Sequence, residues 1–331
     1  MLKVGACIIS NAVLALFNSV LKSGIFPASW KTSILQILHK SGTKSDPNNF
    51  RGICISSCFG KLFNKILRVR LEAYCEKNKF VSRAQLGGQA GARTADHLLV
   101  IKFLVDKYVK AGGKYLYSCF YDLRKAFDTV NRSQLFYNLL VQYKIGGNYL
   151  RLLRNLYNDN KIFVQTALGL VESFTTTAGV LQGDILSPNL FNLFIGKTPD
   201  VIDSSCDPVS IGDFNSSCLL WCDDLVVFST SPSGLQNAIN KIASHFSSLG
   251  LEVNKKKTKV LIFNKRGLSL ADNPEHSFYL NDSKLEVVSE YQYLGLQLKS
   301  SGSFTHAVDE LHKKASRAFF SISKILYTRN V

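Results

Sequence analysis

Apolar and polar residues alternate along this chain with two periods, and the change of period divides it into helices and strands. Lysines and arginines occupy one face of a predicted helix, and the apolar residues that recur at helical spacing are Phe59, Leu62, Phe63, Ile66 and Leu67. Continuous apolar runs between turn residues instead predict strands over 115–122 and 251–263. The chain is therefore expected to combine helices with a sheet.

Residues that cap or break helices predict the limits of further elements. The uncharged stretch 4–21 is interrupted by polar residues, so we expect a buried amphipathic helix ending near Gly24 instead of a membrane span. Thr94 is expected to cap a helix running to 112–113, and Ser187 to cap another. Further predicted elements are a helix over 133–146, a hairpin over 161–177, a helix opened by 231–232, two short strands ending at 298 and a final helix toward 331.

The order of the elements predicts the fold class. A strand, a helix, a hairpin, a helix and another strand follow one another between 115 and 263. This order is typical of an α+β protein whose sheet is covered by helices on one face.

Two adjacent carboxylates lie inside the most apolar part of this region. Asp223 and Asp224 interrupt an apolar run from 219 to 228 whose two halves read as strands, so the pair is expected at a tight hairpin bend. Neighbouring ionised carboxylates repel one another, and either open solvent or a bound cation must offset their charge. A solvated turn is the ordinary interpretation of an isolated Asp-Asp pair.

A third carboxylate ends an earlier strand. Asp122 can share one site with Asp223 and Asp224 if their strands are neighbours in the sheet. Mg²⁺ prefers oxygen ligands and typically takes one or two carboxylates together with substrate phosphates. Two such ions about 3.5–4 Å apart assist an in-line phosphoryl transfer. The three carboxylates therefore indicate a candidate metal site, whereas Asp122 taken alone reads as a cap or turn.

The net charge indicates the class of partner. The 331 residues carry 40 Lys and Arg against 24 Asp and Glu, a formal net charge of +16. The apolar fraction of 46% is ordinary for a globular protein, which argues against wholesale disorder. Such an excess of positive charge favours a polyanion, and nucleic acid is the natural one.

Cysteine usage indicates a reducing compartment. The 8 cysteines form no Cys-x-x-Cys pair, and the histidines complete no zinc spacing. Several cysteines lie in apolar runs, where a thiol packs as a small hydrophobe. We expect an intracellular protein, nuclear or cytoplasmic, without a membrane span.

Seven short blocks occur in an order that is typical of one family. The first block has three parts, 27–31, 46–53 and 60–62. The other six blocks are 85–94, 121–128, 179–188, 221–224, 249–259 and 293–295. In this order they resemble the fingers blocks, palm motifs A to D and primer grip of the reverse transcriptases of non-LTR (LINE-like) retrotransposons. The resemblance covers roughly residues 15–320. Any one block is weak, whereas seven in order are specific.

The resemblance implies a right-hand polymerase with fingers, palm and a partial thumb. Its expected limits are 1–115 for the fingers, 116–265 for the palm, 266–298 for the primer-grip hairpin and 299–331 for the start of the thumb. It further implies either a fragment of a larger element, with the other domains of that element as partners, or a relic of a decaying element. The chain is too short to hold the endonuclease that members of the family usually carry.

The resemblance also assigns metal ligands. Asp122, Asp223 and Asp224, with the backbone carbonyl of Leu123, would hold two Mg²⁺ ions, for which Mn²⁺ is a substitute. Phe127 matches the bulky residue that contacts the sugar and disfavours a 2′-hydroxyl; core packing is the alternative.

Further residues would contact the nucleotide and the primer. Gln182 and Gly183 would border nucleotide and template, with a mere turn as the alternative. Arg51 and Lys40 would meet the triphosphate, with ordinary surface charge as the alternative. A motif D lysine, Lys257 or Lys259, would protonate the leaving pyrophosphate, with a solvated strand edge as the alternative. The primer grip would consist of Tyr293, Leu294 and Gly295.

The implied function is RNA-directed DNA polymerisation in retrotransposition. The implied partners are an RNA template, a DNA primer and deoxynucleoside triphosphates. Trp221-Cys222 replaces the usual Tyr-Ala or Phe-Ala before the carboxylate pair, and blocks 46–53 and 85–94 also depart from the family pattern. Two alternatives stay open: an inactive, degenerate protein that only binds nucleic acid, and a reverse transcriptase of the group II intron maturase type.

Overall fold

The computed structural model describes residues 6–40, 42–166, 169–270 and 273–328. The chain divides into two compact units. The first unit comprises residues 1–82, 125–196 and 249–251, and the second comprises 83–124, 197–248 and 252–331.

The helices of both units lie near the predicted positions, but the helix predicted around Phe59 buries Phe63 and Leu67, whereas Phe59 and Leu62 are exposed. The helices are α1 (Ala6–Ser23), α2 (Cys58–Lys77), α3 (Thr94–Leu104), α4 (Arg132–Val141), α5 (Gly147–Tyr157), α6 (Ser187–Phe194), α7 (Pro232–Ser248) and α8 (Thr305–Thr328). A π-helical segment, Val105–Ala111, continues α3.

The strands are short, and most of them pair with an antiparallel neighbour. They are β1 (Thr32–His39), β2 (Phe50–Ser56), β3 (Leu116–Tyr121), β4 (Lys161–Thr166), β5 (Gly169–Leu170), β6 (Phe174–Thr175), β7 (Ser210–Ile211), β8 (Phe214–Asn215), β9 (Cys218–Trp221), β10 (Asp224–Ser229), β11 (Lys259–Phe263), β12 (Phe278–Leu280), β13 (Ser283–Val288), β14 (Glu290–Tyr293) and β15 (Leu296–Lys299).

The first unit is built on the β1–β2 hairpin. β1 pairs antiparallel with β2 and parallel with β4, whose other partners are β5 and β6. Beside this sheet, Phe63 of α2 lies 5.2 Å from Phe17, 5.4 Å from Phe26 and 5.7 Å from Trp30, measured between ring centroids. These aromatic side chains bury a large apolar area and form the local core.

The second unit contains the larger sheet, in the order β12-β13-β11-β3-β10-β9. All six residues of β3 are buried, because both faces of the sheet are covered there. On one face Tyr121 makes an edge contact with Phe246 of α7. On the other, Phe120 stacks on Tyr291 of β14 at 4.5 Å, and Ile101 of α3 joins the same core. The expected combination of a sheet with helices is confirmed, whereas helix cover on one face alone is wrong, because α7 packs on one face and α3 on the other.

Two expected helix caps are wrong. Ser187 and Thr94 are the first helical residues of α6 and α3 instead of their caps. The Leu186 N–H donates to Asp184 Oδ1 at 2.7 Å, and the Arg93 N–H donates to Asp96 Oδ2 at 2.7 Å. Each carboxylate thus accepts a hydrogen bond from the residue that precedes the helix, and this charge-assisted bond helps to fix where the helix begins.

Several element limits also differ from the prediction. The strand expected over 251–263 begins only at Lys259, because Thr258 and Lys257 donate their N–H groups to the Asn254 carbonyl in a turn. The helix expected over 133–146 ends at Val141, and α5 then starts anew. The short strands expected before 299 are β12–β15 instead of two.

The N-terminal helix is only half buried, contrary to the expectation of a buried helix. Phe17 and Val20 of α1 are buried, whereas Ile8 is 86% exposed and Leu14 is 60% exposed. Within the described ranges, no helix combines the length and the apolar character needed to cross a bilayer.

Arg132 joins the start of α4 to the strand region of the first unit, and its removal should destabilise the protein. Its guanidinium donates to the carbonyls of Gly179 at 2.8 Å and Tyr157 at 3.0 Å and to Thr176 Oγ1 at 2.7 Å. Because Arg132→Ala leaves these acceptors without a donor, we expect the free energy of unfolding to fall by about 3 kcal/mol. Urea denaturation measures this change. The exposed Arg70→Ala is the control, and an equal effect of both variants would contradict the assignment.

Candidate active site

The two adjacent carboxylates lie at the hairpin predicted from the sequence. Trp221 pairs with Asp224 across β9 and β10, which leaves Cys222 and Asp223 as a two-residue loop. Cys222 has a φ of 55°, in the left-handed region that two-residue hairpin loops require and that glycine or asparagine usually fills. A non-glycine residue there costs about 1–2 kcal/mol, so backbone strain is stored directly beside the carboxylates.

The sheet register brings Asp122 to the same place. β10 pairs antiparallel with β3, and Leu225 lies opposite Tyr121. One further step in this register sets Asp224 opposite Asp122, and directly opposed residues point to the same face. Burial, followed by the negative charges of Asp122 and Asp224, raises the pKa of Tyr291 to about 12. The expectation that the two strands are neighbours is confirmed.

The backbone of Asp122 is held by the turn that precedes β11. The Asn254 N–H donates to the Asp122 carbonyl at 2.7 Å, and the Asp122 N–H donates to Thr258 Oγ1 at 3.3 Å. Thr258 is fully buried, so its hydroxyl is fixed in place. Sequence reasoning missed this role of Thr258, because the whole of 251–263 reads as one strand.

The hydrogen bonds around Leu123 determine the direction of its backbone groups. Leu123 forms an antiparallel bridge with Val253, and this bridge is flanked by two hydrogen bonds, from Asn254 to Asp122 and from Arg124 to Glu252. In such a non-hydrogen-bonded pair the N–H and C=O groups point away from the partner. Those of Leu123 therefore face the side of β3 on which β10 lies.

Cys222 does not supply a thiolate to this site at neutral pH. Burial, followed by the charges of Asp223 and Asp224, raises the pKa of its thiol to about 12. The neutral thiol is a poor metal ligand, since metal binding uses the thiolate. The donor set around the hairpin is therefore made of hard oxygen atoms.

This donor set fits Mg²⁺ on chemical grounds. Among the described residues, no three His, Cys, Asp or Glu side chains converge closely enough to hold a metal ion by themselves. Mg²⁺ does not need such a cage, because it commonly binds through one or two carboxylates and completes its shell with water and substrate phosphates. Carboxylates from a strand end and an adjacent hairpin meet this requirement.

The structure distinguishes the two candidate motif D lysines. Lys259 lies in β11, and its Nζ forms an ion pair with Glu286 of β13. Lys257 lies in the preceding turn and is exposed. The solvated strand edge considered as an alternative is wrong for Lys259, because β11 is flanked by β13 and β3.

The expected nucleotide-binding residues lie in the first unit. Phe127 is half buried and stacks on Phe191 of α6, with ring centroids 4.7 Å apart. Gln182 donates its side-chain amide to the Asp128 carboxylate at 3.2 Å. Gly183 has a φ of +100°, and a Cβ there would lie 2.8 Å from the Cys54 carbonyl. Glycine is therefore required where this loop meets β2.

Lys40 and Arg51 flank the tip of the β1–β2 hairpin. Arg51 lies opposite Leu38, and the Lys40 N–H donates to the Asn49 carbonyl at 2.8 Å. This register sets the side chains of Lys40 and Arg51 on the same face of the hairpin, and both are exposed. The register thus assigns these two cations to one face near the hairpin tip.

The expected primer-grip residues form the tip of the β14–β15 hairpin. Tyr293 pairs with Leu296 across a loop of Leu294 and Gly295, whose φ angles are 47° and 85°. Beneath this hairpin, Nδ1 of the fully buried His97 lies 3.1 Å from the Tyr293 hydroxyl.

His97 also makes an edge contact with Trp221, at 5.7 Å between ring centroids. It therefore lies between the carboxylate hairpin and the primer-grip hairpin. Sequence reasoning missed His97, because a lone histidine on a helix carries no local signal.

Comparison with known proteins identifies the family. The profile described as Reverse transcriptase (RNA-dependent DNA polymerase) matches residues 38–298. The Pol polyprotein of the type-2 retrotransposable element R2DM of Drosophila melanogaster is 26% identical over 300 residues, which are 88% of this chain and 27% of that protein. The RNA-directed DNA polymerase of the mobile element jockey of the same species is 24% identical over 325 residues, which are 95% of this chain and 34% of that protein.

The solved structures agree on the fold. Apo telomerase from Candida tropicalis superposes with a TM-score of 0.57 at 14% identity, over 89% of this chain and 52% of that chain. The fold is therefore the α+β fold of a right-hand polymerase. The chain belongs to the reverse transcriptase family, and the resemblance to enzymes of non-LTR retrotransposons is confirmed. It spans about a quarter to a third of the length of these curated relatives, which are 27% and 34% covered.

His97 should make the stability of the protein depend on pH. Burial lowers its pKa from 6.5 to about 4, against the opposing effects of Asp96 and the Ala84 carbonyl. Below pH 6.5 the unfolded chain gains a proton that the folded chain does not, so stability falls as the pH decreases toward 4. We expect the His97 contribution to the free energy of unfolding to decrease by about 2 kcal/mol between pH 7 and pH 5.

Urea denaturation at a series of pH values measures this effect. His97→Gln keeps a hydrogen-bonding side chain but does not titrate, so its stability should vary less with pH than that of the parent. Parallel curves for parent and variant would contradict the assignment.

Proposed function

We propose that this chain is the RNA-directed DNA polymerase domain of a non-LTR retrotransposon. One observation carries the proposal: the β3–β10 register sets Asp122 beside the Asp223-Asp224 hairpin in a chain of the reverse transcriptase family. Carboxylates at a strand end and a neighbouring hairpin suit a two-metal nucleotidyl transfer. The partners would be an RNA template, a DNA primer and deoxynucleoside triphosphates.

The chain's own residues would position the reacting groups. Asp122, Asp223 and Asp224, with the Leu123 carbonyl, would hold two Mg²⁺ ions, or Mn²⁺ in their place. When bound, such ions favour deprotonation of the primer 3′-hydroxyl and stabilise charge on the leaving oxygen. The hydrogen bonds from Asn254 and to Thr258 Oγ1 fix the backbone of Asp122, so this carboxylate needs little rearrangement during the reaction.

Residues of the first unit would select and hold the nucleotide. Arg51 and Lys40 offer paired positive charge to a triphosphate from one face of the β1–β2 hairpin. Phe127 would lie against the sugar, and its stacking on Phe191 limits the rotation of its ring. Gln182 and Gly183 would border the nucleotide and the template. Tyr293, Leu294 and Gly295 would contact the primer from the tip of their hairpin.

Lys257 is the better candidate for the motif D lysine. A proton donor to the leaving pyrophosphate must be free to reach it, and the Lys259 ammonium is engaged by Glu286. Lys257 follows Asn254, whose N–H binds the Asp122 carbonyl, so its turn is attached to the carboxylate site. Its exposed side chain can move toward a bound phosphate.

Primer extension on an RNA template with Mg²⁺ tests the proposed activity. Asp122→Asn and Asp223→Asn remove one negative charge from the cation site, and we expect each to lower the rate at least about 10³-fold. Asp213→Asn changes an exposed carboxylate of the β7–β8 hairpin and should extend at the parental rate. If Asp223→Asn retained the parental rate, the site assignment would be wrong. Binding of template–primer without any extension by the parent would instead indicate a protein that only binds nucleic acid.

Phe127 should determine the preference for deoxynucleotides. Phe127→Val removes ring volume beside the sugar, so the ratio of ribonucleotide to deoxynucleotide incorporation should rise at least about 10-fold. This is the effect expected when a steric exclusion worth about 1–3 kcal/mol is lost. Single-nucleotide incorporation with each substrate measures this ratio. Phe136→Val, which changes an aromatic residue of α4, is the control. If Phe127→Val does not change this ratio, Phe127 only packs in the core and does not select the sugar.

A further inference from the structure

The outer edge of the large sheet is covered by a short segment that precedes α3. The Leu220 N–H of β9 donates to the Ala84 carbonyl at 2.8 Å, and the Leu86 N–H donates to the Leu220 carbonyl at 3.0 Å. Gln85 and Leu220 form a parallel bridge. Residues 84–87 thus pair with the last strand of the sheet and follow it to the carboxylate hairpin.

The Gln85 side chain closes this pairing at the strained residue of the hairpin. Its Oε1 accepts the Cys222 N–H at 3.1 Å and the Gly87 N–H at 2.9 Å. Gln85 is only 3% exposed, so water does not readily replace these bonds. Leaving a buried N–H without an acceptor costs about 1–3 kcal/mol, which is comparable to the strain stored at Cys222.

Gly87 allows the segment to approach the hairpin from behind. A Cβ on Gly87 would lie 2.3 Å from the Cys222 nitrogen and 2.6 Å from the Trp221 carbonyl carbon. These are backbone atoms that cannot turn aside as a flexible side chain can. Any other residue at position 87 would displace the hairpin or the segment.

We propose that Gln85 is a positioning residue for the candidate metal site. By binding the Cys222 N–H it fixes the left-handed conformation of the residue that leads into Asp223 and Asp224, and so it sets the affinity of these carboxylates for a divalent cation. The inference rests on the proposed metal site. Because Gln85 is buried behind the hairpin, it acts through the backbone of Cys222 and does not itself bind the cation.

The chemistry of the site explains why a fixed hairpin matters. Asp223 and Asp224 repel each other, and a cation binds well only if their oxygen atoms already face it. A hairpin free to leave the left-handed conformation at Cys222 would spread the two carboxylates over several arrangements. Groups that orient metal ligands typically contribute 10–100-fold to metal affinity.

Mn²⁺ binding to the whole chain, followed by electron paramagnetic resonance, tests the proposal without requiring turnover. Gln85→Met keeps the length of the side chain but removes the amide oxygen, and we expect the dissociation constant for Mn²⁺ to rise about 10-fold or more. Gln85→Glu keeps oxygen acceptors at the same reach and should restore the affinity to within about threefold of the parent. Gln89→Leu, four residues further on, should bind as the parent does.

Three results would overturn the proposal: parental Mn²⁺ affinity in Gln85→Met, equally weak binding in Gln85→Met and Gln85→Glu, or no difference between the parent and Asp223→Asn. Thermal melting confirms that each variant is folded. If Gln85→Met does not fold, Gln85→Asn replaces it. The shorter side chain of asparagine leaves its amide oxygen one methylene too far from the Cys222 N–H, so the same loss of Mn²⁺ affinity is expected. Primer extension separates the two proposals. If the parent protein binds Mn²⁺ but never extends a primer, the proposed polymerase activity is wrong, whereas the proposed role of Gln85 is unaffected.

Discussion

The antiparallel pairing of β3 with β10 is the interaction on which the candidate site depends. It aligns a strand end with a hairpin from a distant part of the chain, and one step of register decides which side chains are opposed. A slip by a single residue would turn Asp224 and every neighbour in β10 to the other face of the sheet. Tyr121 against α7 and Phe120 against β14 bury opposite sides of β3, and this two-sided burial prevents such a slip.

Different hydrogen bonds hold Asp122 and the Asp223-Asp224 pair in place around this pairing. Asp122 is fixed by hydrogen bonds of its own backbone to the turn before β11, whereas the hairpin pair is fixed through the residue that precedes it. Both devices act through main-chain groups and not through the carboxylate oxygens. The Trp221-Cys222 departure from the family pattern is accommodated by Gly87 and His97 without loss of an acidic residue.

The local features of the site could be predicted from the sequence, while its supports could not. The hairpin at Asp223-Asp224 was predictable because apolar runs on both sides leave only a bend between them. Gln85 was not, because it meets Cys222 across 137 residues and sequence periodicity reports only near neighbours. The strand expected over 251–263 was too long for a similar reason: the apolar pattern cannot show that Asn254 accepts hydrogen bonds from a turn.

The hydrogen bond between Asp122 and Thr258 has a consequence for the newly made chain. The two residues are separated by 136 positions, so the site cannot assemble before Thr258 has been made. Contacts of such long range form late, because closing a large loop has to precede them. A ribosome-bound intermediate that ends before this turn would expose three acidic side chains without a common geometry. Cation capture should therefore begin only after the turn at 254–258 has been made and has packed against Asp122.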